Sequence, residues 1–176
     1  MDTRLHHVQG KAEAVTDTLL LLQDFYRDKL SALLGHIAGA RLIAQYDANN
    51  AYQYIISREE TQLSWIGQAI VGLGGQVEAS IAEPDRLGSS RAKDAGRRVM
   101  GEDERDAQTF VDRWSPRVET MTDARHRGML RVVLGETLEQ KRFFGQALAG
   151  DQNLLGSRSL AVGARVGEVM PTRWIE

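Results

Sequence analysis

At 176 residues the chain is long enough for one domain with its own buried core, and 42% hydrophobic with 26% charged residues is a globular rather than a disordered composition. A formal charge of -2 leaves no basic surplus for bulk attraction to nucleic acid or anionic membrane. Cysteine is absent, which excludes disulfides, zinc ribbons, iron–sulfur clusters and thiol chemistry, and fits a reducing compartment. The opening "MDTRLHHVQGK" has no apolar signal-peptide core, "TLLLLQ" is too short to span a bilayer, and Leu30 to Gln45 is interrupted by His36 and Arg41. A cytoplasmic protein without a membrane span is expected.

Period 3.6 dominates. From about Ala12 to Tyr46, Val15, Leu19, Leu22, Tyr26, Leu30, Leu33, Ile37, Ala40 and Ala44 form one stripe, with Gly35 and Gly39 spaced for close helix contact. "YDANNAY" reads as a turn, with Asp47 or Asn49 as the cap of a second helix from about Asn50 to Leu73. That helix carries Ile55, Ile66, Ile70 and Leu73 on one face and ends at Gly74-Gly75. After the polar link "QVEASIAEPDRLGSS", a third helix runs from about Ser90 to Trp114, where Ser115-Pro116 kinks it or starts another. The fourth runs from about Thr122 to Ala149, closed by Gly150. No segment shows sustained strand alternation. The expected fold is all-α: an antiparallel four-helix bundle over residues 1–150 with a C-terminal extension, 151–176.

The second helix puts Glu59 and Gln62 in line with Ile55 and Ile66 on its inward face. On the fourth, Glu136 falls in two apolar rows, one through Val132, Glu139 and Phe143, the other through Val133, Gln140 and Phe143. Glu102, Asp103 and Asp106 lie between Val99 and Phe110 on the third. Converging buried carboxylates need cations, shared protons or solvent, and divalent metals are the usual supply in bundles. Against a ligand role, Glu59 and Gln62 also suit a core edge bonded to arginine or backbone. Glu102 to Asp106 also suit a solvated face paired with Arg97, Arg98 and Arg105 at helical spacing. His36 near the stripe reads as a hydrogen-bonded core histidine, His126 as surface, and Tyr26, Trp65 and Trp114 as packing. "GLGG" ends a helix rather than following a strand, so it is no dinucleotide loop. The basic run Arg86 to Arg105 is interleaved with acids and lacks aromatics, against nucleic-acid binding.

Over Ala12 to Gly150 the pattern resembles the ferritin-like superfamily. "EETQLSWI" from Glu59, closed by Leu73-Gly74-Gly75, is similar to the family's Glu-x-x-His-Leu-x-Trp-Leu helix and its Leu-Gly-Gly, and His126 to Leu148 is similar to the second such helix. The resemblance implies a four-helix bundle with carboxylates and histidines around two metal ions, commonly iron, serving oxidation or iron handling. The metal candidates are then Glu59, Gln62, Glu136 and Glu139. Gln62 stands where the histidine is expected, and Gln140 or Glu139 where the second is, which removes good nitrogen donors. The expectation is therefore a metal-poor bundle serving binding or assembly, with a dinuclear iron oxidoreductase or iron-handling protein as the alternative. Without metal, Glu59 is expected to protonate or to find an arginine.

The extension "DQNLLGSRSLAVGARVGEVMPTRWIE" has no helical stripe yet carries Leu160, Val162, Val166, Met170, Trp174 and Ile175. Packing on its own bundle is expected first and a homo-oligomer contact second. "SLAVGAR" also resembles the short peptides that carry ferritin-like cargo into encapsulin shells, which ranks third as a partner.

Overall fold

The computed structural model describes residues 3–78, 81–82, 84, 92–151 and 154–155, with side chains from 15 and from 94 onward in the first and fourth of these stretches. Four helices and no strand occur among the described residues: α1 (Thr3–Ala40), α2 (Tyr46–Gly72), α3 (Ala92–Glu119) and α4 (Ala124–Ala149). Of the extension only Asp151, Leu154 and Leu155 are described, so its docking and shell-targeting readings lie outside the described residues. No helix among them is long and apolar enough to cross a membrane.

The helix ends follow local chemistry. Asp123 caps α4 by accepting from the His126 backbone N–H at 2.9 Å, and Gly150 ends it with φ 93, a conformation glycine adopts without a Cβ clash. Gly74, φ 81, turns the chain after α2. The start of α2 differs from expectation. Tyr46 opens the helix, and the Gln45 cap makes no side-chain bond. Asn49 instead points back and donates to the Ala40 and Ile43 carbonyls at 3.0 and 3.3 Å, tying the end of α1 to the next helix. Pro116 lies within α3, three residues from its end, where it does not stop the helix.

The core has three layers. One apolar cluster gathers Leu22 and Phe25 of α1, Ile66 and Ile70 of α2, Val111, Trp114 and Val118 of α3, and Leu130, Val133 and Leu134 of α4. A second gathers Ala40, Ala51, Tyr52, Ile55, Val99, Met100, Phe144 and Ala147. Between them each helix contributes buried polar groups: Lys29 and His36, Glu59 and Gln62, Asp103, and Thr137 and Gln140. Every helix thus runs apolar, polar, apolar.

α1 and α3 meet at both ends and part in the middle. At one end a Cβ on Gly39 would lie 2.7 Å from Val99 Cγ1, and one on Gly96 would lie 2.9 Å from the Leu42 carbonyl, so glycine permits the approach. At the other, Phe25 packs edge-on against Phe110 and Trp114, with centroids 5.2 and 4.8 Å away. The parting leaves a cleft of about 550 Å³ down to the polar layer.

Trp114 is fully buried, with its indole N–H donating to Asp28 at 3.0 Å, whereas Trp65 is 36% exposed under Arg58. We therefore expect Trp114→Ala to lower unfolding stability by about 3–5 kcal/mol and Trp65→Ala by well under half of that, read by urea melts of the two variants. Equal losses would contradict this packing.

Candidate functional site: a charged layer at the foot of a cleft

Burial dictates the chemistry of the middle layer. Glu59 is 0% exposed, and an isolated carboxylate there would take up a proton. Both its oxygens instead meet nitrogen donors from α1. Lys29 Nζ donates to Oε1 at 2.8 Å, and His36 Nδ1 lies 2.8 Å from Oε2. Lys29 is itself 1% exposed, lies 3.5 Å from Thr137 Oγ1, and stands 5.5 Å from the centroid of the Phe110 ring. Burial works to raise the Glu59 pKa, but the charges and hydrogen bonds of His36 and Lys29 outweigh it and hold the carboxyl at about 2. For His36 burial is again the largest influence, favouring the neutral ring. Glu59 and Asp103 together overcome it, against the opposing charge of Lys29, and the pKa is raised above 6.5. Asp103, 1% exposed, accepts from Tyr52 Oη at 2.5 Å.

The predicted site residues divide. Glu59 and Gln62 lie in the layer, each 0% exposed. Glu136 is partly buried beside it, held by Arg58 at 2.5 and 3.1 Å and accepting from Gln62 Nε2 at 2.6 Å. That guanidinium is held above its usual range chiefly by the Glu136 bond. Glu139 is exposed and pairs with Arg142 at 2.8 Å, away from Glu59's partners. The inward row of α4 is Leu130, Val133, Thr137, Gln140, Phe144 and Ala147, not the row through Val132 and Glu139. Val132–Val133 and Phe143–Phe144 are adjacent apolar pairs, so the sequence supports both rows equally. Two further corrections follow from burial. Asp103 is not on a solvated face, although Glu102 does pair with Arg98 at 2.8 Å as helical spacing suggests. Glu59 meets lysine and histidine rather than arginine or a proton.

Lys29 escaped the sequence reading because lysine is rarely buried. The signal was there: Leu22, Phe25, Lys29 and His36 recur at helical spacing and lie opposite the acid of α2. Within this layer two buried polar atoms have no hydrogen-bond partner, Gln62 Oε1 and Gln140 Nε2, one on α2 and one on α4. No cluster of three or more His, Asp or Glu able to hold a metal occurs among the described residues.

The cleft above this layer is lined by Asp28, Lys29 and His36 of α1, Glu102, Asp103, Asp106 and Arg113 of α3, and Glu59, Thr137 and Gln140 behind them. Asp28 pairs with Arg113 at 2.9 Å. No family model, curated protein or solved structure matches the chain. Geometry therefore carries the functional argument.

Removing the negative charge strands a buried ammonium. Glu59→Gln should cost about 3–5 kcal/mol of unfolding stability, by the general penalty for breaking a buried pair from one side; a neutral or stabilising result in chemical denaturation would sink the pairing. The pH dependence has a definite sign. The Glu59 contribution is complete above its ordinary 4.5 and disappears as pH falls through about 2. The His36 contribution is complete below its ordinary 6.5 and disappears as pH rises through its raised native value. The stability difference between wild type and His36→Gln should therefore be largest between those two ordinary values and shrink in alkaline buffer. A pH-independent difference would contradict the pairing of His36 with Glu59.

Proposed function

We propose that the protein is a ferritin-like antiparallel helical bundle in which Lys29 occupies the electrostatic role that metal ions play in such bundles, and that it works as a metal-poor binding module through the α1–α3 cleft. The observation that carries this is the fully buried Lys29–Glu59–His36 contact, which leaves neither carboxylate oxygen without a cationic partner. The antiparallel order is supported by contacts whose numbering runs in opposite senses. Arg27 of α1 meets Glu78, six residues past the end of α2, and Asn49 of α2 meets Ala40 of α1; Gln108 meets Lys141 and Arg97 meets Leu148 across α3 and α4.

The donor set argues against a dinuclear centre. Glu59 meets one imidazole and one competing ammonium, whereas hard and borderline divalent ions prefer several anionic oxygens or neutral imidazoles. Glu136 is engaged by Arg58 and Gln62, and Glu139 by Arg142. A metal ion here would have to displace Lys29 from an enclosed position and leave its ammonium unpaired, at a desolvation cost of several kcal/mol. Small-molecule binding is supported by the cleft beside the polar layer, which is of a size usual for such sites.

Untagged protein purified without chelator and then incubated with ferrous iron under anaerobic conditions should retain far less than one iron per chain. Lys29→Met should lower stability, by leaving Glu59 with a single cationic partner, without creating iron binding. Two tightly held irons in the wild type, lost in Glu59→Gln, would replace this reading with an iron-dependent one.

A further inference from the structure

Between the other pair of helices, α2 and α4, lies a groove of about 900 Å³. Its charges are already paired: Arg58 and Glu136 bond each other across it, and Glu139 at the rim is held by Arg142. What it leaves open is apolar. Tyr54 and Phe143 meet edge to face with centroids 6.1 Å apart, and Trp65 and Val132 line the groove further along. Tyr54, Trp65 and Val132 are 48, 36 and 42% exposed. A groove of this kind suits an apolar occupant rather than an ionic one.

The chain itself supplies one. After α4 ends, Leu154 is 6% exposed within the apolar cluster that contains Ile55 and against which Phe143 packs, and both of those residues also line the groove. The chain therefore comes off α4 at the Tyr54–Phe143 end. Beyond that point the sequence alternates: Leu160, Val162, Ala164 and Val166 are interleaved with Ala161, Gly163 and Arg165. An extended chain sends successive side chains to opposite sides, so this segment has one apolar side and one of small or charged residues. Gly163, with Gly156 and Gly167 on either side, disfavours a helix there. At about 3.3 Å per residue the segment spans about 20 Å, against about 17 Å of helix from Tyr54 to Trp65 at about 1.5 Å per residue. The steps from Leu155 to Leu160 reach up to about 17 Å, which leaves room to enter the groove. We infer that residues 160–166 lie extended in the α2–α4 groove, entering beside Tyr54 and Phe143, with Leu160, Val162, Ala164 and Val166 turned inward and Arg165 toward solvent. The groove is then a docking site for the chain's own extension, independent of what the α1–α3 cleft binds.

The chain has no cysteine, so one engineered pair reads the contact in full-length protein. Gly135 lines the groove near Val132, and a Cβ there meets nothing within 4 Å. In the inferred direction Ala164 falls opposite it. Gly135→Cys with Ala164→Cys should close an intrachain disulfide under mild oxidation, which requires Cβ atoms about 3.5–4.5 Å apart. Thr109→Cys with Ala164→Cys, a pairing with the α1–α3 cleft instead, should not close. A second comparison reads the alternation. Val162→Asp with Val166→Asp should lower the melting temperature by about 5 °C or more, as expected when two buried valines are lost. Ala161→Asp with Arg165→Asp, on the outer side, should leave it within about 2 °C. Disulfide-linked dimers would give the groove to the extension of a second copy. Equal closure with Thr109→Cys, no closure at all, or equal effects of the two aspartate pairs would take the segment out of the groove. Each of these results overturns the proposal.

Discussion

An ionised carboxylate at zero exposure is the constraint around which this bundle is arranged. Glu59 keeps its charge only because Lys29 and His36 come from the neighbouring helix at 2.8 Å each. Those contacts fix the register of α1 against α2. A slide of one helical turn would move both cations about 5.4 Å along the axis, out of hydrogen-bonding reach, and leave three buried polar groups unsatisfied. Apolar packing alone specifies register less sharply, since Leu, Ile and Phe substitute for one another as neighbours at modest cost. The layered core extends the same logic to α3 and α4: Asp103 meets Tyr52 of α2, and Thr137 stands beside Lys29.

The buried charges also couple the fold to protons. With His36 protonated, each Glu59 oxygen faces a cation; with it neutral, Lys29 is the one cation of the pair that remains. Glu59 and Asp103 both favour the proton and Lys29 opposes it, so His36 answers to groups on α1, α2 and α3 at once. The charged layer is therefore a single electrostatic unit, and changing any one member alters the surroundings of the other three.

How much of this was legible in the sequence depends on which physical signal each residue gives. Helix number and the ends of α2 and α4 were readable because periodicity and terminators are local: Gly74 and Gly150 act as their chemistry predicts, whereas the start of α2 and the end of α3 fell elsewhere. The burial of Glu59 and Gln62 was readable because Ile55 and Ile66 flank them at helical spacing. What was not readable depends on the facing helix. Thr137 rather than Glu136 turns inward because Lys29 and the interior of α4 pack there, a tertiary fact invisible to two equally apolar rows. Trp65 looked like core for the same reason, yet α2 turns it outward beside Arg58. Lys29 gave the weakest local signal of all, because the residue type argues for solvent and only its partner on another helix argues for burial.

The polar layer is not explained by stability. A buried ion pair exchanged for apolar side chains of similar volume commonly leaves a protein as stable or more so. Ile or Met at the middle of each helix would have joined the two apolar clusters into one continuous core. The chain instead keeps seven buried polar residues, Lys29, His36, Glu59, Gln62, Asp103, Thr137 and Gln140, between those clusters, with two polar atoms unsatisfied. Among the described residues, α1 and α3, drawn together by Gly39 and Gly96 at one end and by Phe25 and Trp114 at the other, part beside that layer. A fold serving only its own stability would close over such groups or omit them. One that sets a cleft beside them lines its floor with fixed charges, and preorganised groups of this kind give a small-molecule site its orientation and selectivity.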